Sequence, residues 1–163
     1  MIRPFQPKDM NPVLKIWLAA SLAAHDFIPS EFWESKVEDM RKLYLPNSEI
    51  LVHEDGGEVD GFLALHGNTV AALFVSPPRQ HMGVGTMLLQ KAKGLRDTLQ
   101  LTVYTENRNS VRFYEQQGFH AEEERRDAHT GHTELLMTFP GRHIGTASRT
   151  VQACVSLHPN NEK

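Results

Sequence analysis

The sequence has little cysteine and no long apolar run, and both shortages limit the kind of protein it can be. Cys154 is the single cysteine among 163 residues, so an internal disulfide is excluded and a reducing compartment is favoured. The longest apolar run, over residues 16–24, is too short to cross a bilayer. The first residues, Met1 to Asp9, lack the apolar core of a signal peptide. We therefore expect a cytoplasmic protein.

Positive charge is also scarce. The chain carries 17 lysines and arginines against 20 aspartates and glutamates, without a block of basic residues. A surface that binds nucleic acid or an anionic membrane needs a concentrated basic face, so neither partner is expected. With 40% hydrophobic and 23% charged residues, the composition is that of one globular domain, working as a monomer or a homodimer.

Nine histidines raise the question of a metal site. His129 and His132 form the close pair, and Gly131 between them indicates a turn. A structural metal needs further ligands at a suitable spacing, and none follows. We expect no metal.

The segment from Val70 to Leu95 has the pattern of a buried strand, a glycine-containing corner and an amphipathic helix. Residues 70–75 are apolar or small without alternation, which indicates a strand covered on both faces. Gly83 and Gly85 lie in the first helical turn, where backbone amides have no helical partner and missing side chains let an anion approach. This pattern predicts a diphosphate ligand. The predicted buried stripe of the helix consists of Val84, Met87, Leu88, Lys91 and Leu95.

Two common nucleotide-binding motifs fit this corner poorly. A dinucleotide motif requires a third glycine where Leu88 stands, and a nucleotide-triphosphate loop requires a lysine where Thr86 follows Gly85. The pattern that remains is Gln80-x-x-Gly83-x-Gly85. It resembles the acetyl-coenzyme A loop of the GNAT N-acetyltransferases.

A second motif strengthens the resemblance. The stretch from Asn107 to Phe119 is similar to the family pattern Asn-x-x-Ala/Ser-x-x-Phe-Tyr-x-x-x-Gly-Phe, and it follows a predicted strand over 99–104. With both motifs in this order, the chain is identified as a member of the GNAT family over about residues 1–140. Three short segments further resemble the small bacterial peptidyl-lysine acetyltransferases of the YiaC and YjaB type: 25–28, 44–47 and 72–75.

The order of elements predicts an α+β fold, which the resemblance makes the GNAT fold. We expect a mixed, largely antiparallel central sheet with helices on both faces. The predicted helices include one ending near Ala24 and a second one capped by Ser30, joined by a loop that forms a lid over the acceptor site. We expect one domain over 1–140 and a flexible tail over 141–163. The predicted strands are 2–6, 48–53, 59–66, 70–75, 99–104, 119–125 and 133–139.

The resemblance implies acetyl-CoA as the co-substrate and direct attack of a primary amine on its thioester. Tyr114 is the expected general acid, which protonates the departing thiolate. A bulge over residues 73–75 is expected to free backbone amides for the thioester. The expected cofactor contacts are Leu73, Phe74, Val75, Gln80, His81, Met82, Gly83, Val84, Gly85, Thr86, Asn107 and Tyr114.

The acceptor and the base remain open from the sequence. At pH 7 only about one lysine amine in 2,500 is neutral, so a base or a desolvating pocket is required. His25, Glu54, Tyr104 and Glu106 are candidate bases, with ordered water as the alternative. A protein lysine or N-terminus is the expected acceptor; a small-molecule amine, or a coenzyme A-binding regulatory module without turnover, are the alternatives. The expected substrate-binding residues are His25, Phe27, Trp33 and Tyr104.

Overall fold

Within residues 1–140 one sheet contains seven strands: β1 (Ile2–Pro4), β2 (Glu49–Asp55), β3 (Glu58–His66), β4 (Thr69–Val75), β5 (Leu99–Tyr104), β6 (His120–Arg126) and β7 (Thr133–Phe139). Their order in the sheet is β1-β2-β3-β4-β5-β7-β6. The computed structural model describes residues 1–140, so the predicted tail over 141–163 lies outside the described residues. β4 and β5 are parallel, and every other neighbouring pair is antiparallel. The mixed, largely antiparallel sheet of an α+β fold is therefore confirmed.

The helices cover both faces of this sheet. They are α1 (Met10–Ala24), α2 (Ser30–Ser35), α3 (Val37–Asp39), α4 (Val84–Leu95) and α5 (Arg108–Gln116), and a π-helical turn follows α3 over Met40–Tyr44. Ser30 does not cap the second helix as predicted: it is the first residue of α2, and no side chain caps that helix. Pro29 precedes it with a φ of −56°, which leads the chain into the helix without a cap. None of the helices within residues 1–140 has the length and apolar character needed to cross a membrane.

The core lies on both sides of the sheet, and β4 contributes to both. Ala72 and Phe74 pack with the aromatic side chains of α1 and α2, whereas Leu73 and Val75 pack with α4 and α5. Burial on both faces explains why this strand shows no alternation of polar and apolar residues. The interpretation of residues 70–75 as a strand covered on both faces is confirmed.

The buried face of α4 differs from the predicted stripe. Met87 and Leu95 are 44% and 42% exposed, and Lys91 is exposed as well. The helix packs closely on β3, because a Cβ added at Gly61 would lie 2.9 Å from Cγ1 of Val84. Gly85, which has no side chain, lies on the buried side of the helix in place of the predicted Met87, Lys91 and Leu95. The buried residues of α4 are Val84, Gly85, Leu88, Leu89 and Ala92.

A gap opens between β4 and β5. Among the described residues, their parallel pairing is confined to Thr69 and Gln100, so the strands separate towards their carboxyl ends. A bulge lies next to this point, because the register with β3 passes from Ala72 to Val70 and leaves Ala71 without a partner. The bulge was predicted over residues 73–75. This prediction is wrong, because the observed bulge lies at Ala71, at least two residues earlier. Residues 73–75 keep continuous register with β3 and bury side chains on both faces, and a bulge would break both.

Candidate active site

Backbone groups of β4 line the gap. Just beyond the strand, the amide of Ser76 donates to the carbonyl of Asp60, 2.8 Å away on the β3 side. Successive residues of a strand direct their hydrogen-bonding groups to opposite sides. Because the register with β3 is continuous here, the backbone N–H and C=O groups of Val75 and Leu73 point towards β5, at a level where β4 and β5 are no longer paired. These two residues are placed to hold a ligand inserted between the strands.

Phe74 faces the other way. By the same alternation its backbone groups point towards β3, and its ring stacks on Phe62 with centroids 5.8 Å apart. The side chain is fully buried in the core beside α1. Leu73, Phe74 and Val75 were predicted to contact the cofactor. The backbone groups of Leu73 and Val75 face the gap, whereas those of Phe74 do not.

The corner after β4 presents the amino end of α4. Gly83 precedes the helix with a φ of +88°, and a Cβ added there would meet nothing within 4 Å. His81 also adopts a positive φ, of 69°. The Gln80 side chain donates to the carbonyl of Val75 at 3.0 Å and so ties the corner to the strand. Open space before unpaired helix amides suits an anionic group such as a diphosphate.

A cavity of about 380 Å³ opens beside this corner. It lies between the end of α1, the loop that follows, the corner and the start of α5. The cavity brings the predicted cofactor residues Gln80, His81 and Asn107 next to the predicted substrate residue Phe27. The residues that line it are Ala23, Ala24, Asp26, Phe27, Gln80, His81, Glu106, Asn107, Arg108 and Asn109.

Asn107 connects the start of α5 to the loop after α1. Its Oδ1 accepts from the amide of Ser110 at 3.3 Å, which directs Nδ2 towards Nε2 of His25, 3.2 Å away. An amide nitrogen only donates, so Nε2 accepts and the His25 proton lies on Nδ1. This bond occupies the lone pair that a base would need. His25 therefore positions the lid loop in this arrangement.

An aromatic cluster, here named the aromatic wall, lies beside the cavity, next to the loop that follows α1. The fully buried His25 ring stacks on Trp33 with centroids 5.1 Å apart, and Phe27 contacts both Tyr104 at 5.7 Å and His132 at 5.1 Å. Trp33 packs in the core behind His25 and is not among the residues that line the cavity. Phe27 is thus the predicted substrate residue that reaches the cavity itself.

Tyr104 belongs to a buried polar network. Its hydroxyl donates to the carboxylate of Asp127, which is 1% exposed, and accepts from the hydroxyl of Thr130 at 3.3 Å. Burial, reinforced by the hydrogen bond to Asp127, raises the pKa of Tyr104 well above its ordinary value. A phenol held neutral in this way is a poor base, so Tyr104 supports the wall.

Tyr114, the predicted general acid, is fully buried on the side of α4 and α5. Its ring contacts Phe113 and Phe119, with centroids 5.1 and 5.5 Å apart. Within residues 1–140 its hydroxyl has no hydrogen-bond partner, and burial raises the pKa of Tyr114 well above its ordinary value. An unsatisfied buried hydroxyl costs about 1–3 kcal/mol, so a ligand that supplied a partner would recover that energy. The phenol stays protonated, as a proton donor must.

Comparison with known proteins identifies the family. Residues 15–119, well over half of the chain, match the Acetyltransferase (GNAT) family. The chain belongs to the GNAT family. This GNAT chain is 34% identical over 121 residues to the peptidyl-lysine N-acetyltransferase YiaC of Escherichia coli K12, an alignment that covers 74% of the chain and 83% of YiaC.

Solved structures agree with this family. The solution structure of apo YjaB from Escherichia coli superposes with a TM-score of 0.76 at 26% identity, covering 87% of this chain and 98% of YjaB. The PaiA N-acetyltransferase of Thermoplasma acidophilum, solved with coenzyme A, shares the fold with a TM-score of 0.69 at 19% identity, covering 85% of this chain and 96% of that one. The GNAT chain is an acetyl-CoA-dependent N-acetyltransferase, as the two sequence motifs implied.

The sequence predicted the turn between β6 and β7 but not its contribution to the site. Asp127, Thr130 and His132 all reach the aromatic wall, and the sequence had suggested only a metal role for His132. No set of three potential metal ligands is assembled in the described part of the chain. The signal available beforehand was the position of this turn, directly before the strand that pairs with β5.

Proposed function

We propose that this GNAT enzyme acetylates the ε-amino group of lysine in a protein or peptide, using acetyl-CoA in the cytoplasm as a monomer or a homodimer. The observation that carries the proposal is the cavity, which joins the amide-bearing corner on one side to Phe27 on the other. The exposed carboxylates of Asp26 and Glu106 at its edge suit a cationic acceptor. The identity of 34% to YiaC supports the choice of lysine.

The residues divide the work of the reaction. When bound, acetyl-CoA supplies the thioester that the amine attacks. The amino end of α4, which Gly83 precedes, holds the diphosphate, and the backbone of Leu73 and Val75 faces the gap where the acyl carbonyl develops negative charge. The Tyr114 hydroxyl holds the proton for the departing thiolate. Phe27 contacts the aliphatic part of the acceptor side chain.

The test is a comparison of acceptors. Purified enzyme is incubated with labelled acetyl-CoA and three matched panels: peptides with internal lysine and blocked N-termini, peptides with free N-termini and no lysine, and free amino acids and polyamines. Thiol release gives the rate and mass spectrometry locates the label. Preferential labelling of internal lysine is expected. Faster turnover of free amines would replace the proposal with a small-molecule acceptor, and tight acetyl-CoA binding without turnover of any amine would replace it with a regulatory module.

A further inference from the structure

The candidate bases suggested by the sequence are mostly committed to other contacts. Glu54 accepts from Nε of Arg3 at 2.5 Å, near the edge strand β1. His25 uses Nε2 to accept from Asn107, and Tyr104 is held neutral beside Asp127. Glu106 remains, and it is joined to a histidine that the sequence had not suggested as a base.

Glu106 and His132 form a pair at the cavity. Nδ1 of His132 lies 2.8 Å from Oε1 of Glu106, and Glu106 lines the cavity. The His132 ring also contacts Phe27, another lining residue, with centroids 5.1 Å apart. His132 is not itself a lining residue, but these two contacts place its imidazole next to two residues that line the cavity on the acceptor side. The His132 side chain is 31% exposed, so solvent and substrate can reach it.

The carboxylate selects one tautomer of the imidazole. An ionised carboxylate only accepts, so Nδ1 of His132 donates to Glu106 and the lone pair lies on Nε2. Within residues 1–140, Nε2 makes no hydrogen bond. The backbone is fixed as well, because the amide of His132 donates to Thr130 at 3.2 Å and its carbonyl accepts from Asp127 at 2.8 Å. The ring is thus oriented, reachable and able to accept a proton.

We propose that His132, oriented by Glu106, takes the proton that the acceptor amine releases as it attacks the thioester. The inference rests on the proposed function. The new C–N bond forms as the C–S bond breaks; the amine proton passes to Nε2 of His132, and the thiolate takes the proton of Tyr114. Exchange with solvent then returns both side chains to their starting forms. His132 is a catalytic residue in this scheme, and Glu106 is a positioning residue.

Several titratable groups contact His132, are linked to it through a neighbouring residue, or line the adjacent cavity. Glu106 faces it from the connection between β5 and α5, and Tyr104 faces it from β5. Asp127 lies in its own turn and is linked to it through Thr130. His25 and Asp26 precede Phe27, which contacts His132, and Asp26, His81 and Arg108 line the adjacent cavity. A pH profile of the parent enzyme therefore has to be compared with those of variants.

The experiment measures kcat at saturating acetyl-CoA and acceptor between pH 6 and 10. His132→Gln should lower kcat at pH 7 by about 10²-fold, which is the lower end of the effect of a general base. The deficit of the variant should narrow towards pH 10, because hydroxide then competes to take the proton that His132 accepts in the parent enzyme. Glu106→Gln still accepts from Nδ1 but lacks the charge, so a smaller loss, about tenfold, is expected. The affinity for acetyl-CoA, measured by calorimetry, should stay within about twofold in both variants, a change below 0.5 kcal/mol.

His129→Gln is the matched control, because this histidine lies exposed in the same turn and only its backbone amide contacts Asp127. Its kcat should equal that of the parent at every pH. A His132→Gln enzyme as fast as the control, or one with the same deficit at every pH, would overturn the inference and leave the acetyltransferase activity intact. A parent that turned over no amine would instead refute the proposed function, and the inference with it.

Discussion

Replacing Gly83 by valine tests the diphosphate site at its most local point. The residue has a φ of +88° and an exposed position before α4, and a Cβ would meet no protein atom within 4 Å. The substitution therefore has two separable effects. It strains the backbone, and it places a branched side chain in the space from which an anion would approach the amides.

Gly57 offers a control with nearly the same geometry. It has a φ of +85° in the hairpin turn between β2 and β3, and a Cβ there also meets nothing within 4 Å. Left-handed strain costs about 1–2 kcal/mol for an ordinary residue and more for a β-branched one. At about 2 kcal/mol, Gly83→Val and Gly57→Val should each lower Tm by about 4–8 °C.

Cofactor affinity should separate the two variants. A hydrogen bond to a charged group contributes about 1.5–3 kcal/mol, so losing two amide contacts should raise Kd for acetyl-CoA by at least about 10²-fold. Calorimetry should show this rise for Gly83→Val and parental affinity for Gly57→Val. Equal affinity in the parent and both variants would refute the assignment of the corner as the diphosphate site.

Three further substitutions test other parts of the structure. Tyr114→Phe should lower kcat about 10- to 10³-fold in a thiol-release assay without lowering Tm, because its buried hydroxyl has no partner within residues 1–140; an unchanged kcat would remove the acid role. The guanidinium of Arg3, hydrogen-bonded to Asp9, holds the pKa of that carboxyl below its usual value. Asp9 therefore stabilises the fold above the unfolded pKa of about 3.9, and this stability is lost as the pH falls through the folded pKa. Arg3→Gln should therefore move acid unfolding, followed by circular dichroism, to higher pH; an unmoved midpoint would contradict this linkage. Gly61→Ala should lower the free energy of unfolding in urea by about 1–3 kcal/mol, because the new Cβ would lie 2.9 Å from Cγ1 of Val84, and a neutral effect would show that α4 can shift away.

The strands were predictable because their signals are local. Gly56 and Gly57 mark the turn between β2 and β3, and both have a positive φ. Gly67, which also has a positive φ, marks the turn between β3 and β4. Between these turns the apolar residues define strands whose ends agree with the structure to within about two residues, the usual uncertainty of such boundaries. Nothing beyond a short window of sequence was needed.

Features that depend on packing between elements were predicted wrongly. The side of α4 that is buried depends on its packing against the sheet, where residues far apart in the sequence meet, such as Gly61 and Val84. A spacing of three and four residues fits either side of the helix, so periodicity alone could not show which side of α4 is buried. The position of the bulge at Ala71 depends on the register with β3, which the composition of β4 does not reveal.

The candidate site also has one part that local sequence signals predicted and another that depends on packing between distant elements. The part of the cofactor half that would hold the diphosphate lies in one stretch, residues 80–86, where glycines and a helix start are visible in the sequence. The acceptor half combines Phe27, Glu106 and His132, which come from three separate segments and meet only in the folded chain. This predicts a separation of function: changes at Phe27 should alter the choice and KM of the acceptor while leaving acetyl-CoA affinity unchanged. A Phe27→Ala variant that lost both equally would mean that the two halves are one site and that the cavity serves the cofactor alone.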